Sequence, residues 1–432
     1  MNTRKNPFTI AEILLCAILQ YVMVVIPCTH YFCLYVYQPA SLIAAKIYMA
    51  AVFTAAAIPV AALSIGGIKA GRLEKLLGLM CAVVMLCVFA ADNNYMALTG
   101  TSRNEGGVML LCYYVFFFGA RFVAGQRARK FLLNIFLGVG AAHCIYGLCQ
   151  FFDVGNGIYD SYHYAISGVT GNPNFMGSLT VLLLGVAVGM ARYSRNIFAK
   201  AVYFALCALV GVTLLLTKTV SAYVGAVAVA AVMAVLILSD VACEKGRKTA
   251  MLTAGGIALA AVTVTALALA MPGSGLAEEI SAVVSQLQNF VATGTVDEGF
   301  ASGRVVIWIN CIKLSARNLL TGVGIDNLMD PFHMAFGLVN GQFVDKAHNE
   351  LLNVLVTMGL PALLCYLALY LQVFRDGITK IKTKENRAVN AALLAAFTGY
   401  VVQGMFNISV IDVAPYFWII AGLLARPVTK KE

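Results

Sequence analysis

Charge is what this sequence has least of. Only 12% of its 432 residues are Asp, Glu, Lys or Arg, against 61% hydrophobic residues and a mean hydropathy of +0.84. A soluble domain of this length carries about a quarter charged residues, so a water-soluble fold is excluded. Other features are missing altogether. There is no His-Glu-x-x-His, no Walker-type phosphate loop, no Cys pair at zinc or redox spacing, and no Asp-x-Asp outside the apolar runs. Nucleotide hydrolysis and metal-assisted chemistry therefore have no recognisable site, and neither cofactor nor metal is expected. Internal repeats and low-complexity tracts are absent too. No small-residue cleavage site follows the first apolar run, which is expected to stay as a span rather than to leave as a signal peptide.

What the chain does have is apolar length. Twelve runs stand out, at about Ile10–Ile26, Leu42–Ile65, Leu76–Ala91, Val108–Phe122, Phe131–Phe152, Phe175–Ala191, Ala201–Leu216, Ala222–Ser239, Ala250–Met271, Leu351–Phe374, Ala388–Phe406 and Ala414–Leu424. In a bilayer such runs become spanning helices, because only a helix satisfies its own backbone there. The expected fold is an all-α integral membrane protein of about twelve transmembrane helices. Its expected parts are a bundle of nine spans over 1–271, a loop domain over 272–346 and three spans over 347–432.

The net charge of +10 invites a nucleic-acid partner, but its distribution excludes one. Basic residues gather in short clusters between apolar runs, such as Lys69/Arg72/Lys75, Arg127/Arg129/Lys130 and Lys380/Lys382/Lys384/Arg387. With both termini cytoplasmic, 23 of the 30 Lys and Arg fall in cytoplasmic segments, and the other seven are Lys46, inside the second run, and Arg103, Lys218, Arg304, Lys313, Arg317 and Lys346. The positive-inside rule therefore puts the 272–346 loop outside. Eight of the twelve cysteines lie inside apolar runs, where Cys acts as a small hydrophobe. Cys28 and Cys33 share a short expected outer loop and are open to a disulfide.

The polar chemistry collects in the outer segments. Phe152 to Ser178 holds Asp153, Asp160, His163 and the turn-like Gly171-Asn172-Pro173-Asn174. Thr217 to Ser221 is a polar joint between two spans. In the large loop, Leu276 to Val291 has a helical pattern, and so does Ser302 to Asn318. Ser302 is the expected cap of the second helix. Val305, Trp308, Ile309 and Ile312 are its expected apolar face, and Asn310, Lys313 and Arg317 its polar one.

Arg304, near the start of that helix, is suited to an anion, phosphate above all, or to lipid headgroups. Trp308 one turn later is open to an interfacial role as well. Gly322-Val323-Gly324 lacks the preceding strand that a dinucleotide site needs, and reads as a sharp turn that lets backbone approach a ligand. His348 is expected at the start of the helix feeding the tenth span, with Asp345 as its cap. A helix N-terminus favours a neutral imidazole, able to take a proton from a hydroxyl. Asn349 and Asn353 share a helical face and suit sugar hydroxyls.

Taken in order, the set resembles the O-antigen ligase and polymerase superfamily. It comprises Arg304 and Trp308, the run from Asn318 through Gly322-Val323-Gly324-Ile325-Asp326-Asn327, then His348-Asn349 and Gly359. Gly171-Asn172-Pro173-Asn174 is similar to an upstream element of that family. The resemblance implies a membrane glycosyltransferase, in architecture similar to the C-type glycosyltransferases. It implies transfer of a glycan from undecaprenyl diphosphate to an acceptor hydroxyl of a glycan or lipid. The reaction would occur without metal, on the outer face of the bacterial cytoplasmic membrane. Carried over, Arg304 meets the diphosphate and His348 is the base. Lys218, Lys346, Trp308, Asn349, Asn353, Asn172 and Asn174 become candidate substrate contacts. Many members place Ser-Arg where this chain has Thr219-Val220; Lys218 can replace the charge there but not a bidentate fork. A transporter of a small anion or polysaccharide unit is the alternative reading. It predicts charged or Gly/Pro-broken helices at mid-membrane, whereas here the polar residues sit on one face.

Overall fold

The computed structural model describes residues 9–35, 50–58, 70–101, 103–123, 125–154, 165–270, 276–293, 303–383 and 386–427. The described residues are almost wholly helical. The helices are α1 (Thr9–Tyr35), α2 (Arg72–Ala90), α3 (Asn94–Thr99), α4 (Gly107–Phe122), α5 (Gln126–Phe151), α6 (Pro173–Tyr193) and α7 (Ile197–Leu216). They continue with α8 (Val220–Ala270), α9 (Leu276–Thr293), α10 (Arg304–Arg317), α11 (Met329–Phe336), α12 (Glu350–Lys382), α13 (Arg387–Gly404) and α14 (Ala414–Leu424). A further helical stretch covers 50–58, within the expected Leu42–Ile65 run.

Six of the described helices (α2, α5, α6, α7, α8 over Val220–Leu259, and α12) are long and apolar enough to cross a membrane. Residues Ile13–Ile26, α4 and α14 are apolar but shorter. The chain is a multi-pass membrane protein. The runs Ala222–Ser239 and Ala250–Met271 both fall within α8, where the non-helical backbone of Gly246 (φ 83°) separates two helices. Cys28 and Cys33, expected in a loop, both lie on α1, which runs on to Tyr35.

The chain forms two compact units. The first comprises Met1–Phe136, Asn289–Asp376 and Gly404–Glu432; the second comprises Leu137–Gln288 and Gly377–Gln403. The first is built around aromatic side chains. Trp418 of α14 lies edge-on to Tyr114, Phe117 and Tyr366, at ring distances of 5.3, 6.2 and 6.0 Å. Offset and edge-on pairs like these are the favourable geometry for aromatic rings. In the second unit α6 lies so close to α13 that a Cβ on Gly185 or Gly189 would collide with the Ala396 and Ala392 backbone. Small residues at such crossings let two apolar helices approach in lipid, where the hydrophobic effect does not drive them together.

A break in α12 organises the candidate site. Gly359 takes φ 79°, and Pro361 follows it inside the helix. Three successive carbonyls lose helical partners here and find others. Val356 accepts from the Val323 N–H at 2.9 Å, Thr357 from the Gly324 N–H at 3.1 Å, and Met358 from the Cys87 thiol at 3.3 Å. Leu360 N–H in turn donates to the Leu319 carbonyl at 2.7 Å. Gly322 and Gly359 are required by this docking. Both have positive φ, and a Cβ on either would overlap the facing backbone, Thr357 for Gly322 and Leu320 for Gly359. The glycine turn thus brings its backbone against α12.

Candidate functional site

All of the following lies in the first unit. α10 begins at Arg304, with Gly303 as its N-cap in a left-handed conformation and no side-chain cap. The expected cap, Ser302, lies outside the described residues. The buried face of α10 is Ile307, Cys311, Leu314 and Ser315. Of the expected apolar face, Ile309 and Ile312 lie off this buried side, 41% and 57% exposed. The reason is the segment after the glycine turn. Leu328, Phe332, Val339, Val344 and Ala347 pack with Ile307, Cys311 and Leu314 into one core. α10 is apolar on more than one side, and periodicity cannot tell which side meets protein and which meets lipid.

Trp308 is partly buried against this core and donates its indole N–H to the Ala347 carbonyl at 2.9 Å. Its ring also lies 6.0 Å from that of Phe406. Ala347 N–H donates to Asn353 Oδ1 at 3.2 Å. Asn349 Oδ1 accepts from the Leu352 N–H at 3.0 Å, which makes Asn349 the cap of α12. Asp345, the expected cap, instead pairs with Arg103 at 2.6 Å. One residue further on, Lys346 is buried and paired with Asp326 at 2.6 Å. The ammonium that the sequence suggested for a diphosphate is thus directed at a carboxylate of the glycine turn. Asp326 also accepts from the backbone N–H groups of Thr101 and Glu105, at 2.7 and 3.1 Å.

These contacts converge on His348, half-buried and not itself part of α12. It occupies a left-handed conformation, φ 49°, between the pinned Ala347 and the cap Asn349. Such a backbone costs a non-glycine residue on the order of 1–3 kcal/mol and persists only where neighbours fix it. Burial lowers the imidazole's pKa to about 4, and the nearby charges of Arg304, Arg103 and Lys346 push the same way, against Asp345. His348 is therefore neutral at physiological pH. The sequence expected that state from a helix terminus; burial and the surrounding cations produce it.

Below the histidine loop is a small polar cavity of about 40 Å³, lined in part by Glu105, Asp326, Lys346, Glu350 and Asn353. Burial pushes Glu105 up to about 8, although Lys346 and the Tyr113 hydroxyl oppose the shift. Burial alone would lower Lys346, but Asp326 and Glu105 outweigh it and the net direction is upward. Sequence reasoning assigned no role to Arg103, Glu105 or Asp326. The available signal was the polar stretch Arg103-Asn104-Glu105 between two apolar runs.

The second unit holds the remaining expected residues. Asn172 caps α6, its Oδ1 accepting from the Asn174 N–H at 2.8 Å. Lys218 is half-buried at φ 51° in the joint between α7 and α8, where the hydroxyls of Thr217 and Thr219 lie 3.0 Å apart. These two elements meet. Ile166 N–H donates to the Leu216 carbonyl at 3.1 Å, and Gly177 faces the Thr219 hydroxyl. Arg304, Trp308, Lys346, His348, Asn349 and Asn353 are thus brought together in one unit, and Asn172, Asn174 and Lys218 in the other.

Residues 181–367 match the family described as O-antigen ligase. The resemblance read from the ordered motifs therefore holds over a range that includes Lys218, Arg304, the glycine turn, His348 and Gly359. No curated protein matches the chain.

Proposed function

We propose that this O-antigen ligase-like membrane protein transfers a glycan from undecaprenyl diphosphate to an acceptor hydroxyl, by ligation or polymerisation of surface polysaccharide. The observation that carries the reading is His348, a neutral imidazole in a strained conformation, within electrostatic reach of Arg304. In the reaction, the acceptor oxygen forms a bond to the sugar's anomeric carbon as its proton passes to the imidazole. The bond from that carbon to the phosphate oxygen breaks, and its electron pair leaves with undecaprenyl diphosphate. Arg304 meets the charge that develops there, and a guanidinium suits phosphate through two parallel hydrogen bonds. No step requires a metal.

The low pKa of free His348 fits this order of events. A base near 4 is neutral but weak. A bound diphosphate offsets the positive field of Arg304 and Arg103, so the imidazole gains basicity once donor is in place. Trp308, Asn349 and Asn353 hold the loop, and Lys218 of the α7–α8 joint is a candidate contact for the anionic substrate. The orientation is the one positive-inside charge supports. Both termini face the cytoplasm of a bacterial inner membrane, and 272–346 lies outside between the membrane parts 1–271 and 347–432.

The test is chemical. Deleting the gene should cause undecaprenyl-diphosphate glycan to accumulate and its transferred product to disappear. Purified protein with that donor and acceptor should release undecaprenyl diphosphate in step with product. An unchanged lipid-linked pool in the deletion strain would reject the reading in favour of transport or another activity.

A further inference from the structure

Helix α10 carries an apolar surface that the core of its own unit leaves uncovered. Ile309 and Ile312 are exposed on the side opposite its buried residues. Lys313 and Arg317, one and two turns on from Ile309, are exposed on the same side. Just past the helix, Leu319 and Leu320 are exposed as well.

The depth of this surface follows from the break in α12. The Leu319 carbonyl accepts from the Leu360 N–H, and a Cβ on Gly359 would meet the Leu320 carbonyl. Cys87 of α2 bonds to Met358 at the same level. From that level to a basic residue at the far end, Arg72 on α2 and Arg375 on α12, each helix runs about 22 Å at about 1.5 Å per residue. The hydrocarbon core of a bilayer is about 30 Å thick, so Leu319 and Leu320 stand inside it, in the leaflet nearer His348. A second observation agrees. Leu371, Leu364 and Leu360 form an exposed stripe along one face of the membrane-crossing α12, and the stripe ends at the residue bonded to Leu319. The exposed side of α10 continues this lipid-facing surface.

Four large aliphatic side chains facing water would be a liability. A bilayer accommodates them, and it accommodates the basic residues too, since Lys and Arg beside an apolar face extend to headgroup phosphates.

We propose that the exposed side of α10, with Leu319 and Leu320, is a membrane-docking surface. Its aliphatic side chains enter the leaflet on the His348 side, and Lys313 and Arg317 meet the phosphates of that leaflet's phospholipids. With the orientation given above, this is the outer leaflet. Arg304, on the same helix, is thereby held near the level of lipid phosphate. The inference rests on the chain crossing the membrane, not on glycosyl transfer.

The experiment places the photo-crosslinking residue benzoylphenylalanine at Ile312, Leu320, Leu364 or Gln342 of the full chain. Each protein is reconstituted in vesicles of phosphatidylglycerol and phosphatidylcholine, and adducts are counted by mass spectrometry. Leu364, on the α12 stripe, is the positive control, and exposed Gln342 the negative one. Ile312 and Leu320 should give phospholipid adducts as Leu364 does, about tenfold or more above Gln342. Lys313→Gln and Arg317→Gln should lower the preference for phosphatidylglycerol at Ile312 by about fivefold for each charge removed. Adducts at Leu320 without any at Ile312 would overturn the docking of α10, and so would equal yields at Ile312 and Gln342. A covalent dimer formed from Ile312 would replace the membrane with a second copy of the chain. A lipid preference untouched by the two substitutions would refute the phosphate contacts.

Discussion

Lys346 and Asp326 form an ion pair of 2.6 Å in which both side chains are almost wholly buried, and it ties the histidine loop to the glycine turn. Breaking one side of a buried pair leaves an uncompensated charge and typically costs about 3–5 kcal/mol. Lys346→Met should therefore lower the unfolding temperature of the purified protein sharply. Lys346→Met with Asp326→Asn should recover part of the loss, because no lone charge remains. A double-mutant cycle in thermal unfolding measures the coupling, and simple additivity would deny the pair this anchoring role.

His348 and Arg304 are predicted to be essential in different ways. His348→Ala should lower turnover by about 10²–10⁴, the usual worth of general-base help, while leaving the protein in the membrane. Arg304→Ala should cost a comparable factor, and Arg304→Lys should recover only part, because a point charge lacks the fork. Full turnover by purified His348→Ala would remove the proposed base.

The pH profile separates free enzyme from complex. A general base must be unprotonated, so activity falls as pH drops through its pKa. For kcat/KM the acid limb attributable to His348 should lie near 4, as in the free protein. For kcat it should lie higher, since the bound diphosphate favours the imidazolium. The same residue links pH to stability. Its folded pKa is below the ordinary value of about 6.5, so its contribution is complete above that and falls away toward 4 as the unfolded chain takes up the proton first. Coincident limbs for the two kinetic parameters would contradict a diphosphate acting on His348.

At the α7–α8 joint, Lys218→Ala should reduce turnover without loss of protein, and Lys218→Arg should keep or raise it. Normal turnover in Lys218→Ala would remove this residue from the anion site.

Gly359→Ala should prevent accumulation of folded protein, because its Cβ would meet the Leu320 carbonyl in a conformation that L residues rarely adopt. Gly78→Ala, in helix α2 with nothing near the added Cβ, is the control and should be neutral or stabilising by up to about 1 kcal/mol. Membrane yield and melting temperature give the comparison; equal behaviour of the two would refute the docking of the turn on α12.

Sidedness is testable with a membrane-impermeant maleimide on intact cells. A cysteine at exposed Gln342 should label from outside, whereas the native exposed Cys243 should label only after the membrane is opened. The reverse pattern would invert the topology.

Composition alone determined that this protein crosses a membrane, because 61% hydrophobic residues in long runs have no other stable environment. The order of Arg304, Trp308, the glycine turn, His348 and Gly359 was likewise enough for the family resemblance. The starts of α10 and α12 were legible to within a few residues, since their signals are local. The partners were not. Periodicity put Ile309 and Ile312 on an apolar face without saying what covers it, and the tertiary structure gives the protein-facing positions to Ile307 and Cys311, because lipid and protein interior are equally apolar. Nothing local marks Lys346 as the partner of Asp326, Trp308 as the brace of Ala347, or Gly322 as the residue fitted against Thr357. These are contacts between distant parts of the chain, and only the packed fold decides which buried charge meets which. Burial, which sets the protonation state of His348, is likewise a property of the folded chain.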